Sequence, residues 1–310
     1  MDLAVLDLGS TSFHLLIARL SAGGQIQPLD HRRATLHLGA VVGRHGFFPP
    51  DVADLAVRTA VRLWRYAGRS GVDQPAAVAT SALRDAANGH AVVSRIVAAT
   101  GLDLWVLSGV EEAGLAYQGA SARLPAGSRP RLVLDLGGGS LDLAGGCNDA
   151  TPEWAASLPA GVSRLAGRHL HNGCWNRKAR RALERGVTAA LGPILDGARQ
   201  YLGGGAIAVG GPFRALARVL LARRHQNGPG SINGAWLELG EFRVLRDELL
   251  GTSLATRLAI PGVRPRRALH LPVAAAVAVT TLDCLGLDRV QISDWGVREA
   301  LLLNRAAACV

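Results

Sequence analysis

The chain has 310 residues, enough for a large core and, at ordinary domain sizes, for two domains. Apolar residues make up 49% and charged residues 19%, which excludes a disordered chain. The net charge is +10, and with Lys178 the only lysine the surplus is arginine; its planar fork suits phosphate, although a GC-rich genome gives the same bias.

Met1 leads straight into strand-like sequence, without the basic and apolar run of a signal peptide. The apolar runs "LAVLDLG" (Leu3–Gly9) and "FHLLIARL" (Phe13–Leu20) flank a Gly-Ser-Thr-Ser turn and predict a hairpin. From Asp51 to Ala67, Val52, Leu55, Ala56, Leu63 and Trp64 recur at helical spacing. "PAAVATSALRDAANG" reads as a strand at Ala76–Thr80 entering a helix through Ser81. "LWVLSGVEEAGLAYQGA" repeats that pattern, with a strand at Leu104–Leu107 and a helix beginning near Val110. "RLPAGSRPR" (Arg123–Arg131) is the best linker, dividing the chain into domains at 1–124 and 125–310.

After the linker the opening pattern restarts as "RLVLDLGGGSLDLAGG". "AIAVGG" (Ala206–Gly211) predicts a strand running into the helix "PFRALARVLLARR", with Pro212 suited to its first turn. "LPVAAAVAVTTL" (Leu271–Leu282) is a buried helix, too short to span a bilayer. "VQISDWGVREALLL" is a last strand, turn and helix, and that helix (about 297–310) is free to pack back on the first domain. Alternating strands and helices predict α/β layers. The repeated opening predicts two related halves whose glycine turns face each other across a cleft. Four cysteines (Cys147, Cys174, Cys284 and Cys309) show no CxxC spacing, which suits a reducing compartment and a soluble cytoplasmic protein.

Glycines let successive N–H groups converge on an anion. "DLGST" and "DLGGGS" both offer such a loop: Gly9, Ser10, Thr11 and Ser12 in the first, and Gly137, Gly138, Gly139 and Ser140 in the second. Each adds an acid at the end of a strand, Asp7 and Asp135, suited to a Mg²⁺ held directly or through water. Asp142 shares a side with Ser140 by strand alternation and is a third candidate. One glycine hairpin alone is simply a tight turn; the duplication with an acid at the same offset favours phosphate and metal. Neither loop continues into the Gly-Lys-Ser/Thr of a Walker A motif.

The segments "VLDLGSTSFHLLIA", "ATSALRDAANG", "LSGVEEAGLAYQGA", "LVLDLGGGSLDLAGG", "SLPAGVSRL" and "SDWGVREALL" resemble, in order and spacing, the exopolyphosphatase/guanosine pentaphosphate phosphatase (Ppx/GppA) family. The resemblance covers essentially the whole chain and is closest to the short, two-domain form common in actinobacteria. It implies two duplicated actin-like, ribonuclease-H-like ATPase-fold domains with an interdomain cleft. It also implies hydrolysis of the terminal phosphoanhydride of polyphosphate, or of the 5′-phosphate of pppGpp, with Mg²⁺ or Mn²⁺. The family's catalytic glutamate falls on Glu112, with Glu111 as the alternate, and its metal acids fall on Asp135 and Asp142. Arg84 and Arg267 fall at anion-binding positions.

This sequence departs from the family where members often carry Arg, at His14 and Gly114, and it has Asp142 for Glu and Leu141 for Thr. The "RAD" run reads "RAL" at Arg267–Leu269, and the "REG" run ends in Ala300. These changes remove phosphate contacts and predict weaker activity, a shift toward short chains, or a polyphosphate or (p)ppGpp binder without turnover. His14 reads either as a packed histidine or, facing the cleft, as a phosphate donor; Arg84 with Asp85 reads equally as a surface ion pair. "GRHLHNGCWNRKARR" (Gly167–Arg181) and "RPRR" (Arg264–Arg267) are the basic stretches, a solvated face or a polyanion contact with steep salt dependence. No recognition module marks a nucleic-acid partner. A sugar or acetate kinase shares the two turns but not "SGVEEA" or "SDWGVREA", and a homodimer is left open.

Overall fold

The computed structural model describes residues 1–21, 25–72, 74–124, 131–170, 175–224 and 231–307. β1 (Asp2–Leu8), β2 (Ser12–Leu20) and β3 (Ile26–Thr35) form an antiparallel run, followed by α1 (Leu38–His45) and α2 (Pro50–Arg69). β4 (Ala76–Ala79), α3 (Ser81–Asp85), α4 (Gly89–Thr100) and β5 (Leu104–Val106) complete a sheet of order β3-β2-β1-β4-β5. The helix α5 (Gly109–Arg123) leads to the second unit.

There β6 (Arg131–Leu136), β7 (Leu141–Gly146) and β8 (Trp154–Leu158) repeat the antiparallel run. Next come α6 (Val162–His169), α7 (Arg177–Leu191), α8 (Leu195–Arg199), β9 (Ala206–Val209) and α9 (Gly210–Arg224). β10 (Trp236–Glu238), α10 (Leu239–Glu248), α11 (Leu254–Leu258), α12 (Pro265–Ala268) and α13 (Leu271–Leu285) follow. β11 (Arg289–Ile292) and α14 (Val297–Ala307) end the described chain. The second sheet has the order β10-β11-β9-β6-β7-β8. Set aside β10, and β8-β7-β6-β9-β11 reproduces the first sheet strand for strand. The duplication read from the two glycine hairpins is thus a duplication of whole sheets.

Parallel neighbours such as β1 with β4 and β6 with β9 need crossover helices, which cover both faces of each sheet. The central strands are accordingly apolar on both sides: Val5 and Leu6 of β1, then Val133 and Leu134 of β6, are buried on opposite faces. α5 lies between the sheets. Its Leu115 packs with Leu3, Val5 and Val78 of the first, and its Ala113, Ala116 and Tyr117 pack with Val133 and Ile207 of the second. α14 returns to the first sheet, where Ala300, Leu301 and Leu302 join the cluster of Leu3 and Val5. The 124/125 division drawn at the linker therefore leaves α5 touching both units, and the linker's residues 125–130 lie outside the described residues.

A second tie runs between α1 and α6. A Cβ on Gly43 would collide with the Arg164 carbonyl, and one on Gly167 with the Ala40 carbonyl, so the two helix backbones cross in reciprocal contact. The strand expected at Ala206–Gly211 ends at Val209, because Gly210, at φ 90°, turns the chain into α9. Among the described residues no helix is long and apolar enough to cross a membrane.

Candidate active site

The duplicated hairpins hold their acids in the same register. Asp7 stands opposite His14 in β1/β2, and Asp135 stands opposite Asp142 in β6/β7. The two glycine loops meet: a Cβ on Gly138 would collide with Thr11, and one on Gly139 with Ser10 and Ser81. The Ser10 and Thr11 carbonyls accept the N–H groups of Gly39 (2.7 Å) and His37 (2.9 Å) at the start of α1. The Gly137 and Gly138 carbonyls accept those of Val162 (3.1 Å) and Ser163 (2.8 Å) at the start of α6. Peptide N–H groups point opposite to their carbonyls, so each loop turns its donor edge toward the cavity that both loops line.

That cavity has a volume of about 390 Å³ and is bounded by Asp7, Gly9–Ser12, His14, Ser81, Glu112, Asp135, Gly137, Gly138 and Arg267. Five sequence candidates stand off its wall: Arg84, Glu111, Gly139, Ser140 and Asp142. The hydroxyls read as phosphate ligands are mostly engaged in the scaffold. Ser10 Oγ accepts the Ala82 N–H (2.9 Å) and bonds Ser81 Oγ (2.7 Å). Ser12 Oγ accepts Arg33 Nε and Nη2 at 3.0 and 2.8 Å, and Ser140 Oγ donates to Asp142 at 2.8 Å. What these loops would offer an anion is therefore chiefly their backbone N–H groups.

Glu112 and Glu111 separate cleanly. Glu111 forms a capping box with Ser108: its carboxylate accepts the Ser108 N–H at 2.7 Å, and its own N–H bonds Ser108 Oγ at 3.2 Å. Its alternate catalytic reading is set aside on that geometry. The cap fixes the first turn of α5 so that Glu112, 8% exposed, faces the cavity. Arg84 Nη1 donates to Glu112 Oε2 at 3.0 Å and to the Leu107 carbonyl at 3.0 Å, while its Nε holds Asp85 at 2.9 Å. Arg84 is therefore a partner of Glu112 rather than a free anion contact. Burial pushes the Glu112 carboxyl well above its usual range; the Asp142 charge adds to this and Arg84 opposes it.

Burial likewise raises Asp7 and Asp135 to about 6, with Arg298 opposing the rise at Asp7 and Arg214 at Asp135. Asp142 is 2% exposed, raised by burial and then by the Asp135 charge, and its two oxygens accept the hydroxyls of Ser140 and Ser157. Of the three acids expected to share one ion, Asp7 and Asp135 line the cavity, while Asp142 stands behind its wall. Among the described residues no three His, Cys, Asp or Glu side chains converge tightly enough to hold a metal by themselves. The donor set does fit a hydrated divalent cation, which takes one or two carboxylates and completes its shell with water and substrate phosphate. Asp7 and Asp135 are the two that line the cavity.

His14 also lines it. Its Nδ1 lies 2.9 Å from Arg298 Nη1 and 3.1 Å from His31 Nε2. An arginine only donates, so Nδ1 is the accepting nitrogen and the ring proton sits on Nε2. Burial, then Arg298 and Arg33, push the imidazole well below its usual value, so it is neutral.

The sequence reading named Arg264–Arg267 but missed the rest of the positive wall. Arg33, Arg214, Arg218, Arg264, Arg266 and Arg298 join Arg267 around the cavity, against Asp7, Glu112, Asp135 and Glu299. Burial and mutual repulsion lower Arg33 and Arg218 to about 10 and Arg267 to about 9. Two glycines make room for this. At Gly210 a Cβ would collide with the Asp135 carboxylate, and at Gly211 with the Arg267 guanidinium. The stretch His171–Cys174 of the other basic run lies outside the described residues, as do Cys174 and Cys309; Cys147 and Cys284 are free thiols.

Residues 16–308 match the model of the Ppx/GppA phosphatase family. The chain belongs to that family. Exopolyphosphatase 1 of Mycobacterium leprae is 33% identical over 98% of this chain and 89% of its own length. Exopolyphosphatase 1 of Mycobacterium tuberculosis is 33% identical over 98% of this chain and 88% of its own. Among solved structures, an exopolyphosphatase from Cytophaga hutchinsonii superposes with a TM-score of 0.87 at 25% identity, covering 99% of this chain and 98% of that one. The Aquifex aeolicus Ppx/GppA member gives 0.76 at 22% identity over 99% and 98%, a likeness of fold. The two-sheet α/β architecture is that of the exopolyphosphatase and Ppx/GppA structures. Beside His14, α14 contributes the Arg298 guanidinium to the cavity wall.

Proposed function

We propose that the protein is an exopolyphosphatase-type phosphohydrolase, releasing terminal orthophosphate from inorganic polyphosphate. The observation that carries the reading is the uneven charge of one cavity: buried acids around Glu112, and around Arg267 a set of arginines that, among the described residues, form no ion pair with a carboxylate. The groups acting on Glu112 are Asp142, Arg84 and Asp135, whereas those acting on Arg267 are Arg33, Arg214, Arg266 and Arg218. A linear polyanion entering end-on would leave its terminal phosphoryl group by the acids and its remaining units among the arginines. The indole on the wall, Trp295, has the Arg123 guanidinium 5.4 Å from its ring, which favours a chain of phosphates over a guanine.

In this reading Glu112 takes the proton of the attacking water as the oxygen bonds to the terminal phosphorus and the bridging P–O bond breaks. The shortened chain leaves on its own terminal oxygen. Arg84 fixes Oε2 of Glu112, leaving Oε1 for the water. The loop N–H groups and the neutral His14 donate to the phosphoryl oxygens. A divalent ion at Asp7 and Asp135 would neutralise charge building on those oxygens. Phosphate release from tripolyphosphate, long-chain polyphosphate and pppGpp, with and without Mg²⁺, tests the assignment. Glu112→Gln should lower kcat by about 10²–10⁴-fold with the fold intact. Near-normal turnover in that variant, or tight polyphosphate binding with no release by the unaltered protein, would overturn it.

A further inference from the structure

Outside the active cavity, one side of α2 carries a second concentration of positive charge. Arg58, Arg62, Arg65 and Arg69 are exposed, and their spacing of four, three and four residues aligns them along one helix face. At 1.5 Å per residue the row is about 16 Å long. With Arg32 and Arg33 of β3 they border a groove of about 700 Å³.

Some exposed arginines elsewhere meet carboxylates: Arg19 holds Asp2 at 2.7 Å, Arg223 holds Glu248 at 2.5 Å and Arg243 holds Asp283 at 2.5 Å. Others, such as Arg177, Arg181 and Arg185 of α7, are solvated without one among the described residues. None of the four α2 arginines makes an ion pair among the described residues. The acids nearest to hand are already taken. Asp54, one turn before Arg58, is held by Arg95 at 2.6 Å, and Asp30 accepts from Tyr66 (2.6 Å) and Arg32 (3.0 Å). What sets the α2 row apart from the solvated arginines of α7 is that it borders a groove, and that this groove shares a lining residue with the active cavity.

Arg33 joins the two regions. It borders both the groove and the active cavity, and it donates to Ser12 in the first glycine loop. We propose that the groove is a second polyanion site, holding the part of a long polyphosphate chain that extends from the active cavity, past Arg33, onto α2. This rests on the exopolyphosphatase reading above. Polyphosphate is favoured over single-stranded nucleic acid because bases bind by stacking on open aromatic faces. The groove's aromatic ring, Tyr66, carries the Arg32 guanidinium 4.5 Å from its centroid; the remaining floor is Val57, Val61 and Leu63.

The test compares the unaltered protein with the variant carrying R58Q, R62Q, R65Q and R69Q. Binding of long-chain polyphosphate is followed over a NaCl series, with steady-state kinetics on long-chain polyphosphate and tripolyphosphate. Four lost contacts should reduce the slope of log affinity against log salt by about 3 and raise KM for long chains roughly tenfold or more. Turnover of tripolyphosphate, which is too short to reach α2, should be unchanged and reports an intact fold. Equal salt slopes and equal long-chain KM in the two proteins would overturn the proposal. So would single-stranded RNA binding the groove as tightly as polyphosphate of the same charge. If the unaltered protein released no phosphate from any chain yet showed the slope difference, the groove would stand and the hydrolytic reading would fall.

Discussion

Asparagine at position 7 keeps the shape of a buried side chain while removing its charge. Asp7 is raised from the usual 3.8 to about 6, chiefly by burial, with Arg298 pulling the other way. At about 1.4 kcal/mol per pH unit, the ionised carboxylate costs the folded state about 3 kcal/mol at pH 8. The sign follows from proton counts. Between pH 3.8 and about 6 the native state binds more protons than the unfolded chain, so this carboxyl lowers stability as pH rises through that window and keeps it low above. Asp7 is 17% exposed and lies 3.9 Å from Arg298, so part of the gain is lost with that attraction. Asp7→Asn should therefore be more stable than the native protein by about 1–3 kcal/mol at pH 8 and by less than about 1 kcal/mol at pH 4. That corresponds to roughly 2–5 °C in Tm at the higher pH. Thermal unfolding followed by circular dichroism in EDTA at both pH values measures it. The same variant should lose phosphate release and any Mg²⁺-dependent rise in Tm. A variant no more stable than native at pH 8, or equally stabilised at both pH values, would refute the claim that this charge is retained for chemistry at the expense of the fold.

Arg84→Gln removes the cation that opposes the rise of Glu112, so the acid limb of the kcat/KM profile should move to higher pH with tripolyphosphate KM little changed. A uniform drop in rate with an unmoved limb would mean Arg84 is only structural. Arg267→Ala should raise KM with kcat nearly intact and reduce the salt slope of polyphosphate binding by about 1; an unchanged slope would take Arg267 off the substrate path. Gly210→Ala puts a Cβ into the Asp135 carboxylate at a φ of 90°. It should cost about 1–3 kcal/mol and abolish activity, and a fully active, equally stable variant by urea unfolding would contradict the packing.

The glycine turns and their acids were legible because each is a contiguous motif whose chemistry follows from local backbone geometry. The third strand of each sheet was not. β3 carries Pro28, Asp30, Arg32 and Arg33 along a largely exposed edge, and a register shift at Ile17/Ala18 breaks its pairing with β2, so it shows no alternating apolar pattern. The positive wall beyond Arg264–Arg267 was invisible for a different reason: Arg33, Arg214, Arg218 and Arg298 come from β3, α9 and α14, which only the tertiary fold assembles. Arg214 and Arg218, four apart in an apolar helix, look like the polar side of α9 until the fold turns that side toward the cavity. One distinction was available and went unread. Ser108 followed three residues later by Glu111 is a capping-box pattern, which by itself assigns Glu111 to the helix start and leaves Glu112 free.

The duplication also explains how one cavity came to have two opposed ends. His14 and Asp142 occupy the same place in the two hairpins, each across the ladder from an acid. In the first hairpin that place holds a neutral imidazole against Arg298, and the surroundings continue outward through Arg33. In the second it holds a carboxylate fixed by Ser140 and Ser157, whose charge acts directly on Glu112. Had the twins stayed alike, the field would be symmetric about the cavity, and a phosphate chain would gain nothing by choosing which end to present. Because one twin adds negative charge beside Glu112 and the other does not, the cavity is polarised along the line between the hairpins. On the exopolyphosphatase reading proposed above, a polyanion would be admitted by its end, with only the last phosphoryl group pressed against the acids. An activity confined to chain termini would then follow from that asymmetry rather than from any wall closing the cavity.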